Sequence, residues 1–228
     1  MSDSSHKRII IITGHYGCGK TSVAVNMAKQ LCQSGQKVSL VDLDIVNPYF
    51  RSADFSEEMS SLGVNMVVPT YAKTNLDIPA LTAGVDGVIS DGEGTVILDV
   101  GGDDTGAVAL GRYSALIKNA GYEMYYIVNA YRLLTHTPEE ALILMRQIEE
   151  ASRLTVSGLI NNSNLGDATT AEEIGNTRKY MDEISALCGL PVVYTAADEK
   201  QKDKLSNLQG RMLWLNEFTL PQWARQDQ

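Results

Sequence analysis

Gly14-His15-Tyr16-Gly17-Cys18-Gly19-Lys20-Thr21 decides how this chain is read. The octet fits G-x-x-x-x-G-K-S/T, follows the apolar run Ile9-Ile10-Ile11-Ile12 and precedes a stretch of good helix formers. Strand, glycine-rich turn and helix thus stand in the order that a phosphate-binding loop requires. A polyphosphate needs several backbone N–H groups directed inward at once, which only glycines permit in so tight a turn. Gly14, Gly17 and Gly19 meet that need. Lys20 then brings an ammonium to the β- and γ-phosphates, Thr21 offers a hydroxyl to Mg²⁺, and the following helix turns the positive end of its dipole to the anion. The expected nucleotide contacts are therefore Gly14, His15, Tyr16, Gly17, Cys18, Gly19, Lys20, Thr21 and Ser22.

The surrounding composition narrows the setting. With 228 residues the chain buries a large core without disulfides or metal, and one nucleotide-binding domain over residues 1–228 is expected. A formal net charge of −9 argues against a broad surface for nucleic acid or anionic lipid. Cys18, Cys32 and Cys188 show no C-x-x-C spacing and cannot all pair, which implies a reduced, cytoplasmic setting and writes no metal site. After the polar first eight residues, the apolar run ends at Thr13-Gly14, too short for a signal segment or a membrane span.

Further apolar runs read as buried parallel strands at residues 8–13, 37–42, 64–69, 95–100, 123–129, 156–161 and 191–194. Helical patterns lie between most of them. Residues 21–34 stop at Gly35, Thr137-Pro138-Glu139-Glu140 opens a helix with a capping box and a proline at its first position, and Thr170-Ala171-Glu172-Glu173 repeats the box ahead of a helix running towards Leu187. Alternating strands and helices predict an α/β fold: a doubly wound, mostly parallel sheet with helices on both faces, binding ligands at the carboxyl ends of its strands. Residues 47–61 and the glycine-rich residues 84–94 read as irregular.

Two of these strands end in acids. Val38-Ser39-Leu40-Val41-Asp42-Leu43-Asp44 carries a pair on one face, and Val96-Ile97-Leu98-Asp99-Val100-Gly101-Gly102-Asp103 carries a carboxylate followed by glycines. Such strands deliver carboxylates to the crevice where Mg²⁺ and phosphate lie. Asp99 is expected to hold Mg²⁺ through a water or through Thr21, Asp42 to join the Mg²⁺ or Thr21 shell, and Asp44 to orient the attacking water, with Lys20 completing the catalytic set. Gly101-Gly102 would let the backbone switch near the γ-phosphate.

The P-loop, D-x-D at the end of the second strand and I-L-D-x-G-G at the end of the fourth resemble the MinD/ParA-type group of P-loop ATPases, in the SIMIBI class. The resemblance covers most of the chain in element order and is specific only at these motifs. It implies ATP and Mg²⁺ as cofactors and face-to-face dimers around two nucleotides. The group's Walker A reads G-K-G-G-x-G-K-S/T, with an extra lysine reaching across the dimer. Here His15 stands at that lysine and Tyr16 replaces a glycine, so any nucleotide-dependent homodimer is expected to be weak, with a cross-interface charge coming from Arg51 or Arg112. Metal-insertion and electron-transfer relatives carry cysteine near the dimer interface or after the Walker B aspartate; residues 101–106 have none, which disfavours that branch.

The base is expected to be adenine, because Leu159-Ile160-Asn161-Asn162-Ser163-Asn164-Leu165 lacks the aspartate of N-K-x-D. The resemblance places an asparagine against the base, either Asn161 or Asn162, with a loop Thr195-Ala196-Ala197-Asp198 lying on the ring at Ala196; these asparagines also read as turn formers. Tyr125-Tyr126 reads as core, Arg132 and His136 as facing either the site or solvent, and Trp214, Phe218 and Trp223 as packing against the domain or a partner. Two functions compete, and a third class, a nucleotide-binding regulator with no turnover, is disfavoured by the intact set of Lys20, Thr21, Asp44 and Asp99. One is a Mg²⁺-dependent, ATP-hydrolysing switch that regulates an unidentified protein client through its ATP and ADP states. The other is a small-molecule kinase or ATP-dependent ligase of the dethiobiotin synthetase branch, with the γ-phosphate passed to a substrate over Lys20.

Overall fold

In the computed structural model, residues 7–44, 52–68, 77–102, 104–166, 168–206, 208 and 210–216 are described, with backbone only at residues 77–82 and 104. The strands are β1 (Ile9–Gly14), β2 (Val38–Leu43), β3 (Asn65–Val67), β4 (Thr95–Val100), β5 (Tyr122–Val128), β6 (Gly158–Asn161), β7 (Val192–Asp198) and β8 (Met212–Leu215). They form one eight-stranded sheet in the order β3-β2-β4-β1-β5-β6-β7-β8, every pairing parallel. The chain works outward from β1 to β2 and β3, returns to insert β4 beside β1, and then proceeds the other way. The reversal beside β1 opens a crevice at its carboxyl end, and the P-loop follows β1 there.

The helices are α1 (Lys20–Gln33), α2 (Ser56–Ser61), α3 (Asp77–Ser90), α4 (Asp104–Gly111), α5 (Ser114–Ala120), α6 (Pro138–Ser152), α7 (Ala171–Asn176) and α8 (Arg178–Cys188). Alternation in β1 explains why both faces need covering. Ile9 and Ile11 enter one core layer with Val85 of α3, Leu110 of α4, Met145 of α6 and Ile184 of α8. Ile10 and Ile12 enter the other with Val23 and Met27 of α1 and Met59 of α2. All four isoleucines are fully buried, each contributing about 1.5–3 kcal/mol of apolar burial. Tyr125 and Tyr126 are likewise core, one in each layer.

Several expectations are corrected by tertiary packing. Residues 84–90 belong to α3 despite Gly84 and Gly87, because Val85 and Ile89 are held in the core. β7 runs on to Asp198, so Thr195-Ala196-Ala197-Asp198 is strand, paired with Met212, Leu213, Trp214 and Leu215 of β8. That eighth strand was not anticipated; its four residues bury Leu213 and Leu215 on one face while Trp214 packs on the other. The helix after Thr170 breaks at Thr177 into α7 and α8. Of the segment expected to be irregular, residues 52–55 form a 3-10 turn and 56–61 form α2, while 47–51 lie outside the described residues, as do Pro69, Asp103, Phe218 and Trp223.

Candidate nucleotide site

The P-loop closes on itself and on β6. Gly19 is the N-cap of α1 with φ 88, left-handed backbone that suits glycine, and a Cβ there would collide with the Asn162 amide. No side chain caps α1 and no acid stands in its first turn, so its N–H groups stay directed at an incoming anion. Lys20 is 6% exposed, and its ammonium donates to the His15 carbonyl at 3.1 Å, at the centre of the loop. Burial, and then the Lys20 charge, lower the His15 pKa, so this imidazole stays neutral at pH 7. Cys18 is buried, which raises its thiol pKa and keeps it protonated. Tyr16 is exposed and Thr21 is buried.

Behind the loop stand two carboxylates that strand order makes neighbours. Asp42 and Asp99 are register partners in β2 and β4, and both are fully buried. Burial raises both pKa values, and at Asp42 the Asp99 charge adds to the effect. Both Asp42 oxygens are engaged, Oδ1 accepting from Asp44 N at 2.9 Å and Oδ2 from Ala53 N at 3.0 Å. Asp42 thereby ties the 3-10 turn after β2 to the strand end. Ser52 donates to Asp99 Oδ2, while Oδ1 has no hydrogen-bond partner among the described residues; the nearby Thr21 hydroxyl lowers the Asp99 pKa and so partly offsets the effect of burial. A buried, unpartnered carboxylate oxygen beside a threonine hydroxyl suits a hard divalent cation, so Asp99 and Thr21 fit Mg²⁺.

Asp44 is 6% exposed and lies against the start of the next loop, where a Cβ on Gly101 would fall 3.0 Å from its Oδ1. Gly102 comes closer still to the P-loop. A Cβ there would lie 2.6 Å from Tyr16 N and 2.7 Å from Tyr16 Cα, so any larger residue would push the two loops apart. The post-β4 loop therefore touches the P-loop and Asp44 together, which is the placement a phosphate-sensing segment needs.

The far wall is built from neutral amides. Alternation at the end of β6 sends Asn161 and Asn162 in opposite directions. Asn162 donates to the Cys18 carbonyl at 2.8 Å, while Asn161 donates to Thr177 Oγ1 at 2.9 Å. Asn162, Ala196 and Asp198 line a narrow cleft of about 10 Å³ beside the loop, whereas Asn161 lines a separate cavity of about 290 Å³ with Arg178, Tyr194 and Arg211. Asp198, at the end of the segment expected to lie on the ring, is brought across thirty-odd residues to Asn162 by the β6–β7 pairing. Its carboxylate accepts from Lys200 N at 2.8 Å.

Comparisons with known proteins bear on the fold. A ParA family model, described as an NUBPL iron-transfer P-loop NTPase, matches residues 4–86, which hold the P-loop and the Asp42–Asp44 pair. The chain carries an α/β P-loop NTPase fold and is similar to the ParA family over its first third. Among solved structures it is similar to cell division protein FtsY from Thermotoga maritima, with a TM-score of 0.61 and 19% identity over 89% of this chain and 67% of that one. It is also similar to the signal recognition particle receptor FtsY from Elizabethkingia anophelis in complex with GDP, with a TM-score of 0.56, 22% identity and coverage of 89% and 61%. The signal recognition particle 54 kDa protein from Aeropyrum pernix, also with GDP, gives 0.54 and 16%, with coverage of 85% and 42%. The chain thus spans less than two-thirds of the length of these last two. No curated protein matches it. Among the described residues no helix is long and apolar enough to cross a membrane, and no three His, Cys, Asp or Glu side chains group as a metal cluster.

Proposed function

We propose that this protein is a Mg²⁺-dependent, ATP-hydrolysing switch whose nucleotide state is passed to a protein client. The observation that carries the reading is the Asp99 carboxylate, with one oxygen tied to Ser52 in the segment after β2 and the other unpartnered beside Thr21. Mg²⁺, when bound, neutralises phosphate charge. Asp99 and Thr21 are the residues to hold it, and engaging them shifts what Asp99 offers to Ser52. Asp42 anchors the same segment through Ala53, so the metal shell and the segment share their hydrogen bonds. Lys20, released from the His15 carbonyl, moves to the phosphates, and Asp44, packed against Gly101, orients the attacking water.

Adenine is the proposed base, lying against the outer edge of the wall that Asn162 and Ala196 form, since the cleft between them has room for no more than a water. Two of the solved neighbours hold GDP, which makes guanine the competing base. The test is turnover and displacement together. Slow Mg²⁺-dependent phosphate release from ATP, with ATP displacing a fluorescent ATP analogue far better than GTP, is the expected result. Turnover appearing only when a small acceptor is supplied would mean a kinase or ligase instead, and equal displacement by both nucleotides would remove the adenine assignment.

A further inference from the structure

The loop's outer rim shows a second cation that the motif does not contain. Arg132 follows β5 in the turn that leads to α6, and its side chain is exposed. A Cβ built on Gly17 would lie 3.8 Å from Arg132 Cζ and 3.9 Å from Nε, so the guanidinium rests over the exposed lip of the P-loop. Its charge is felt at the buried Cys18 thiol. No carboxylate pairs with it among the described residues.

The turn that presents Arg132 is held at several points. Asn129, fully buried, accepts from Tyr131 N at 3.0 Å and donates to the Asn164 carbonyl at 3.3 Å. Ala130 N donates to Ser163 Oγ at 2.9 Å, Thr135 Oγ1 to the Asn129 carbonyl at 2.8 Å, and Tyr131 OH to the Glu173 carbonyl at 2.8 Å. A long arginine on so braced a turn loses less freedom on engaging a ligand than one on a loose loop.

We infer that Arg132 is a phosphate-binding residue acting within its own chain, its guanidinium closing over the terminal phosphates from the Gly17 side while Lys20 holds them from below. Charge supplies the reason. A nucleoside triphosphate brings about four negative charges to a protein of net charge −9, and Lys20 with one Mg²⁺ leaves a deficit that one guanidinium reduces. His15 cannot fill that role while its imidazole is neutral. Arg51 and Arg112 are expected at a different place, as a charge across a dimer interface, and Arg51 lies outside the described residues.

This inference rests on the proposed nucleotide site, and the experiment separates the two. Calorimetry with Mg²⁺ and a non-hydrolysable ATP analogue, and separately with ADP, is run on the wild type, Arg132→Ala, Arg132→Lys, Lys20→Ala and the exposed helical control Arg146→Ala. Arg132→Ala should weaken the triphosphate analogue at least tenfold and ADP less, Arg132→Lys should recover much of the loss, and Arg146→Ala should match the wild type. A purely structural arginine would not discriminate between the nucleotides or be rescued by lysine. If Arg132→Ala binds like Arg146→Ala while Lys20→Ala fails, the arginine assignment falls and the site stands. If neither the wild type nor any variant binds nucleotide, the site falls and takes the assignment with it. A loss that grows with protein concentration would place the arginine across an interface and overturn its action within one chain.

Discussion

The two walls of the nucleotide crevice are built on opposite principles. On the β2–β4 side, Asp42 and Asp99 stand side by side, fully buried, with raised pKa values and one carboxylate oxygen unpartnered. On the β5–β6 side, Asn129, Asn161, Asn162 and Asn164 are neutral, and each bonds to a neighbouring strand end, helix or loop. Burying an amide with its partners costs little and fixes geometry, whereas burying two like charges costs a great deal until a cation arrives. One wall is a finished scaffold, and the other gains by binding.

That contrast is sharpest where chemistry is measured. Asp44→Ala should leave Mg²⁺ and ATP bound while turnover falls by roughly 10²–10⁴, the size of a lost water-orienting group. Phosphate release under saturating ATP checks this, and turnover at the wild-type rate would move that role elsewhere. Next in size is Lys20→Ala, which removes charge-assisted bonds worth about 1.5–3 kcal/mol and should weaken ATP at least tenfold in calorimetry.

Stability without nucleotide separates the walls directly. Asn162→Ala strips the Cys18 carbonyl of its buried donor and should cost about 1–3 kcal/mol in urea unfolding. Asp99→Asn should act in the opposite sense, raising stability in the absence of Mg²⁺ by removing a buried charge while abolishing the stabilisation that Mg²⁺ and nucleotide bring. Equal destabilisation by both changes would dissolve the contrast.

The same wall also sets a pH dependence. For both Asp42 and Asp99 the folded pKa lies above the unfolded value near 4, so between these values the folded state binds more protons than the unfolded one. Their contribution is greatest below the unfolded pKa and is lost as pH rises through the folded values. Without Mg²⁺, stability should therefore fall as pH rises from about 4 towards neutrality, and Asp42→Asn should flatten that slope in chemical denaturation curves. A rising slope that Asp42→Asn leaves unchanged would mean that the pair is ionised at no cost.

His15→Lys sharpens a separate point about assembly. Restoring a loop lysine should strengthen self-association in ATP and not in ADP, since a missing buried charge contact is worth on the order of 2–5 kcal/mol. Sedimentation velocity with each nucleotide reads this, and a wild-type dimer equally tight in ATP, ADP and no nucleotide would exclude a nucleotide-sandwich arrangement.

The sequence alone determined the parts whose information is local. Residues 14–21 spelled the loop, seven apolar runs marked strands, and Thr137 and Thr170 announced helix starts through capping boxes that the structure contains. Each depends on neighbours within one helical turn or one strand, where periodicity and capping chemistry act. What spans the chain was decided only by the tertiary structure. The insertion of β4 between β2 and β1 made Asp42 and Asp99 neighbours and left an oxygen of Asp99 unpartnered. Pairing with β8 made strand of residues 195–198, which the sequence reads as a loop, and β8 became a strand because β7 offered it an edge. Strand order, burial of like charges and the reach of Arg132 over Gly17 arise from pairings between residues far apart in sequence, and no local pattern encodes them.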